Sequence, residues 1–268
     1  MKSIGLQLFS IRDHFQTEEE IYATLPKVKA MGYDYVQYSG AYDCISAENL
    51  ARASKEAGLP VCGTHYPWDR IQNDVEGTIK RHELLGTNQI GIGSMPAEAR
   101  VSLESLRAFI ARFNEMAEVY YARGFRLLYH HHSFEFKKLE DGRTLFDHLV
   151  EELDPVKTGF VFDTYWAQHG GQNVTKLIKK LEGRIGIMHI KDFEAAHIYN
   201  LEGGTTLSAP HITRVGDGVL DMADIIKVSE KTGIKYFVVE DDRAPDTGDS
   251  LAAAKKSCDY IHANLFEN

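Results

Sequence analysis

The chain has 268 residues, 43% of them hydrophobic, and 39 acidic against 30 basic side chains leave it a formal charge of −9. That balance repels phosphate backbones and anionic lipid, and no basic run exceeds two residues, so nucleic acid and membrane surfaces are set aside as partners. No apolar stretch nears the roughly 18 residues of a membrane span, and Cys44, Cys62 and Cys258, without CxxC spacing, argue for a reducing cytoplasm over a disulfide framework.

The opening MKSIGLQLFS is too short in apolar length for a signal peptide and enters a strand at once, Ile4 to Phe9. Thr17 with Glu20 three residues on is a capping box for the first helix, which Pro26 should kink or restart. A strand follows at Tyr35 to Tyr38, then a helix capped by Ser46 and running to Ala57-Gly58. Pro60 to His65 is the third strand, Trp68 to Leu85 its helix, and Gln89 to Ile92 the fourth strand. An amphipathic helix from Leu103 to Ala122 stops at Gly124. The rhythm repeats with strand Phe125 to His131 and helix Thr144 to Leu153, then strand Thr158 to Phe162 and helix Val174 to Leu181. Strand Arg184 to Ile190 precedes one long irregular segment, Glu194 to Gly218, and a helix from Asp221 to Thr232. Tyr236 to Glu240 is the last strand and Ser250 to Leu265 the last helix.

Nearly continuous apolar strands separated by helices predict a parallel sheet covered on its faces. About eight such units close a barrel, so residues 1–268 are expected to form one (β/α)8 TIM barrel domain. The alternative, an open doubly wound sheet, lacks its glycine-rich first turn, since Ser10-Ile11-Arg12 stands there.

Polar residues appear where each apolar strand stops. In the YHHHSFEF run, residues i and i+2 of a strand share a face, so His130 and His132 point one way and His131 the other. Gln37 and Tyr38 end the second strand and His65 the third; Asp163 ends FVFD, His189 and Lys191 close IMHIK on one face, and Glu240 ends FVVE. In a barrel these ends converge on one mouth. A carboxylate from strand six, an imidazole from seven and a carboxylate from eight can then meet one divalent cation of the Mn²⁺, Fe²⁺, Co²⁺ or Zn²⁺ type. Singly, each has a plain structural use: Asp163 as a helix cap, His189 as a core histidine, Glu240 as a partner for Lys191. Together they mark a centre, because dry unpaired charges cost several kcal/mol each.

With IGLQLFSIR, GYDYVQYSG, GTH, YHHHSFEF, DTYWA, RIGIMHIKD, VGDGVLD and VVEDD in this order, the chain resembles the sugar phosphate isomerase/epimerase group of the xylose-isomerase-like barrel superfamily. The resemblance implies one metal held by residues from strands five to eight, the last three being Asp163, His189 and Glu240. At the strand-five position relatives carry Glu and this chain has His130, which is expected as the fourth ligand. Gln37 likewise stands where many members carry Glu. The His-for-Glu change makes the shell less anionic and removes one of two opposed glutamates that epimerases of this fold use.

The expectation is a metal-dependent isomerase or epimerase acting on a sugar, keto-sugar or polyol by proton transfer next to a carbonyl. One divalent ion is implied, Mn²⁺ first, with Zn²⁺, Co²⁺, Fe²⁺ or Mg²⁺ as alternatives. His132, Glu240 and Lys191 are the candidate catalytic groups, and Gln37, His65, Trp68, Trp166 and Arg214 the candidate substrate contacts. A lyase acting on a keto-sugar or inosose at the same site is the alternative. An endonuclease IV-like nuclease is disfavoured by charge, and a non-catalytic sugar-binding module has no need of acid–base groups beside a metal. A homo-oligomer fits the resemblance.

Overall fold

Eight parallel strands form a closed barrel in the structure, a computed structural model that describes residues 3–39, 44–200, 204 and 206–266. In chain order the elements are β1 (Gly5–Gln7), α1 (Glu18–Ala30), β2 (Tyr35–Ser39), α2 (Ala47–Glu56), β3 (Val61–Tyr66), α3 (Trp68–Asn73), α4 (Val75–Leu85), β4 (Gln89–Ile92), α5 (Leu103–Tyr121) and β5 (Arg126–His130). There follow α6 (Leu145–Glu152), β6 (Thr158–Asp163), α7 (Thr164–His169), α8 (Val174–Lys180), β7 (Ile185–Ile190), β8 (Asp192–Asn200), β9 (Thr206–Thr213), α9 (Met222–Lys231), β10 (Tyr236–Val239) and α10 (Ser250–Asn264). The barrel runs β1-β10-β7-β6-β5-β4-β3-β2 and closes on itself; β8 and β9 form a separate antiparallel pair.

Local sequence explains most boundaries. Thr17 and Glu20 make the expected capping box, Ser46 caps α2, and Asp163, Asp221 and Asp249 cap α7, α9 and α10. Gly124 adopts φ 88° just beyond α5, the left-handed conformation that glycine takes without penalty.

Four expectations are corrected. The first strand stops at Gln7 rather than Phe9, because the Gln7 side chain accepts from the Phe9 amide and turns residues 8–14 into a 3₁₀ segment. Pro26 neither kinks nor restarts α1; it is exposed, so the carbonyl it frees one turn earlier has access to water. The single helix Trp68–Leu85 is two, broken at Asp74, which leaves the helical region and caps α4 through the Gly77 amide. The segment from Glu194 to Gly218 is largely regular, since β8 and β9 pair with each other as a hairpin; its residues 201–203 and 205 lie outside the described residues, as does Gly40 of GYDYVQYSG.

The rest of that segment is tied down by one carboxylate. Buried Asp192 accepts from the amides of Phe193, Gly216 and Leu220 at 2.9 to 3.2 Å. Gly218 packs so closely that a Cβ there would lie 2.1 Å from Asp192 Oδ1, so no other residue fits. The VGDGVLD loop is thus wrapped round Asp192 at the mouth of the barrel. Among the described residues no helix is long and apolar enough to cross a membrane.

Candidate metal centre

The barrel interior is layered by the two-residue period of its strands. Leu128, Val161, Ile187 and Val238 pack together as one buried layer with Tyr35 and Cys62. Two residues further along the same strands come His130, Asp163, His189 and Glu240, on the same face and one layer higher. Register fixes their neighbourhood: Asp163 is paired across the ladder with His189, and the Glu240 amide donates to the Ile190 carbonyl.

One ligand atom from each of these four residues lies within 4.8 Å of every other, and all four side chains are buried. Asp163 Oδ2 is 3.6 Å from His130 Nε2 and 3.7 Å from His189 Nδ1. An ion about 2.1 Å from each ligand needs neighbouring ligand atoms roughly 3–4 Å apart. His130 Nε2, Asp163 Oδ2, His189 Nδ1 and Glu240 Oε2 are also four buried polar atoms without an aligned hydrogen bond. His189 Nδ1 and Glu240 Oε2 approach to 2.7 Å yet are not oriented to share a proton well.

The outer nitrogens are already committed. His189 Nε2–H donates to Gln37 Oε1 at 2.7 Å, and His130 Nδ1–H donates to the Gly93 carbonyl at 3.2 Å. Each bond leaves a lone pair on the nitrogen that faces the centre, the tautomer a metal ligand requires. The donor set, two imidazoles and two carboxylates, suits a divalent ion of mixed N/O preference. The residues present therefore fit a metal.

Lys191 enters the same group. Its Nζ lies 2.8 Å from Glu240 Oε2, 3.0 Å from Asp163 Oδ2 and 3.0 Å from Asp242 Oδ2, and the side chain is buried. Burial opposes its charge, but Asp163, Asp242 and Glu240 outweigh it and hold the ammonium well above its ordinary pKa. Burial likewise opposes a carboxylate at Asp163 and at Glu240; Lys191 and the facing histidines overcome it and hold both well below the usual range. For His189, burial is outweighed by Glu240 and Asp163, and its pKa rises to about 9. Proton and metal are alternatives at that nitrogen.

Above the centre is a cavity of about 170 Å³. This is below the roughly 300–1,000 Å³ of drug-sized sites and is a volume for one small ring. His65, His130 and His132 line it with Trp166, Lys191 and Asp242. His65 stacks on His130 with ring centroids 4.9 Å apart. His132 lies against Phe134 and Trp166, and burial, with His130 and Lys191 nearby, lowers its pKa to about 2. Its imidazole is neutral and only weakly basic at the outset. His131 points away, among Phe136, Phe146 and Phe162, and its Nε2 accepts from the Asp163 amide at 3.1 Å.

Three expected substrate contacts have other partners in the structure. Gln37 is fully buried and serves His189 instead. Trp68 turns to the rings of Phe109 and Phe113 on α5, which offer it apolar cover, and does not line the cavity. Arg214 is held within its own loop by Asp217, three residues on, with Nε 2.7 Å from Oδ2.

Two residues were missed by the sequence reading. Asp242 stands two beyond Glu240 and rises above it, as Lys191 does above His189. Glu135, fully buried, braces the histidine run by accepting from the Tyr129 hydroxyl at 2.7 Å and the His132 amide at 2.8 Å. Burial raises its carboxyl from 4.5 to about 7 despite those donors. A folded-state pKa above the unfolded one means stability complete below the unfolded value and lost as pH climbs through the folded one. Between pH 5 and 8 this carboxyl should cost about 3 kcal/mol. Thermal melts over that range should show a larger decline for the wild type than for Glu135→Gln, whose neutral amide mimics the acid; parallel curves would show that Glu135 is not responsible.

A family model described as xylose isomerase-like TIM barrel matches residues 25–263. An inosose dehydratase from Geobacillus thermodenitrificans is 28% identical over 155 residues, 55% of this chain and 51% of that protein. The chain thus matches about half the length of that relative. In structure, a sugar phosphate isomerase/epimerase from Parabacteroides distasonis superposes with a TM-score of 0.80 at 21% identity, covering 98% of this chain and 94% of that one. The IolI protein, solved with a bound zinc atom, covers 100% of both chains with a TM-score of 0.68 at 15% identity. At these identities the two structural likenesses are likenesses of fold.

Proposed function

The chain belongs to the xylose isomerase-like TIM barrel family, and from that premise we propose that it is a metal-dependent lyase that removes water from a small keto-polyol of the inosose kind. The observation that carries this reading is the convergence of two imidazoles and two carboxylates, all buried and with one ligand atom each within 4.8 Å of the others, beneath a cavity the size of one ring. Mn²⁺ remains the expected ion; Zn²⁺, the ion in the IolI structure, suits the same donors.

When bound, the ion polarises the substrate carbonyl and makes the neighbouring C–H acidic. His130, Asp163, His189 and Glu240 hold it, and Gln37 and Gly93 keep the two imidazoles turned the right way. His132, neutral and lining the cavity, takes the proton from carbon. Lys191 steadies the negative charge that develops on oxygen. His132 then returns its proton to the departing hydroxyl, so water leaves and a C=C bond remains. Trp166 offers a ring face to the substrate.

Dehydration is preferred over epimerisation on one residue. Epimerising a carbon needs a base on each face of it, and the strand-five position that would supply the second carboxylate is His130. The sequence relative named inosose dehydratase points the same way. Isomerase or epimerase chemistry is the second reading, favoured by the fold likeness to the Parabacteroides protein. Incubation of inososes and ketoses with protein and Mn²⁺ in D₂O separates the two. A conjugated enone lighter by one water is expected; a product of unchanged mass carrying deuterium would replace the lyase with the epimerase. EDTA should abolish turnover and added Mn²⁺ restore it, and turnover indifferent to EDTA would end both readings.

A further inference from the structure

We propose that Lys191 is a tuning residue of the metal centre: its ammonium shares the two carboxylate oxygens that face the ion, weakens the ion's hold, and is balanced by Asp242. The proposal rests on the metal-site reading. Asp163 Oδ2 and Glu240 Oε2, the oxygens that face His130 Nε2 and His189 Nδ1, are also the oxygens 3.0 and 2.8 Å from Lys191 Nζ. Ammonium and dication therefore draw on the same negative charge from a few ångströms apart, where little solvent screens them.

Lys191 has no route out of this contact. Its backbone is pinned at both its amide and its carbonyl by Thr164, whose hydroxyl donates to the Lys191 carbonyl at 2.7 Å and accepts from its amide at 3.0 Å. The side chain is 1% exposed, and its Nζ sits 5.5 Å from the centre of the Trp166 ring. Asp242 supplies the third carboxylate, accepting from Nζ at 3.0 Å. Asp163, Glu240 and Asp242 then balance Lys191 plus one divalent ion, and the assembly is neutral. Without Lys191 it is left one charge negative and holds a cation harder. Without Asp242 it is left one charge positive and holds it less well. A centre tuned in this way keeps its ion weakly neutralised, and so a stronger acid toward the substrate carbonyl.

The test is calorimetric titration of stripped protein with Mn²⁺, repeated with Zn²⁺, for wild type, Lys191→Met, Asp242→Asn and the double variant. Lys191→Met should bind at least tenfold more tightly, Asp242→Asn at least tenfold more weakly, and the double variant within threefold of wild type. The opposed signs separate tuning from a merely structural role, in which both single variants would bind more weakly. Asp242 is partly exposed at the rim, so its variant provides a readout even if Lys191→Met fails to fold. Wild type that binds, with Lys191→Met unchanged or weaker, or Asp242→Asn unchanged or tighter, overturns the tuning role alone. If neither wild type nor any variant takes up either ion, the metal-site reading falls with it.

Discussion

Asp163→Asn is expected to lower the affinity for Mn²⁺ by about 10³-fold, the scale of the ~4 kcal/mol lost when a buried charge partner is removed, and to bring turnover below detection. The two oxygens of Asp163 have separate duties. Oδ1 accepts from the Trp166 amide at 2.9 Å and caps α7, while Oδ2 faces His130, His189 and Lys191. Asparagine keeps an oxygen for the cap and offers an NH₂ group to the centre, where ligation needs a lone pair and a negative charge. Lys191 retains Glu240 and Asp242, so no buried ammonium is stranded. The fold should therefore persist: far-ultraviolet circular dichroism should match wild type, while the rise in melting temperature on adding Mn²⁺ disappears. An Asp163→Asn protein that binds the ion as wild type does would show that these four side chains do not form the centre.

Much of this centre was legible because barrel strands have a period of two and end at one mouth. Reading His130 with His132, and Asp163, His189 and Glu240 as strand-end groups, needed only the pleat and the topology. The layer of Leu128, Val161, Ile187 and Val238 beneath them is the same rule one step earlier. Asp242 follows from it too, since it stands to Glu240 as Lys191 stands to His189, yet DD after a strand reads as a solvated turn. Side-chain destinations set by distant packing were not legible. Trp68 and Trp166 each stand three residues beyond a strand-end group, His65 and Asp163. One is drawn outward by Phe109 and Phe113 of α5, and the other stays over the cavity. Gln37, at a strand end, looked like a substrate contact until register placed it against His189.

The hairpin failed for another reason. Apolar residues such as Ile198 and Leu207 sit singly among polar ones and are exposed, because beyond Phe193 and Ile212, which pack on Tyr165, β8 and β9 answer to each other and not to the core. A pattern scan keyed to buried faces has nothing to detect there. Asp74 shows the converse case: a residue inside a helical pattern whose side chain does better as a cap, so one helix becomes two.

His132→Gln is expected to lower kcat by roughly 10²–10⁴-fold, the range assigned to a positioned proton carrier, with Mn²⁺ affinity within about threefold of wild type. The ring is not among the four ligands, and Gln offers comparable bulk against Phe134 and Trp166. What it lacks is a nitrogen that can take up a proton and give it back. The environment keeps the ring neutral but weakens it as a base: burial, with His130 and Lys191 close by, lowers the pKa of His132 to about 2. A bound dication would add to that effect, so His132 can take the substrate proton only because the same ion would acidify the C–H, and it then gives that proton up readily. The variant should therefore lose both product formation and exchange of the substrate C–H with solvent deuterium. Loss of product with exchange intact would move His132 from removing the first proton to assisting the departure of hydroxide. Unchanged kcat would remove it from the reaction and leave Glu240 or Asp242 as the carboxylate base at this cavity.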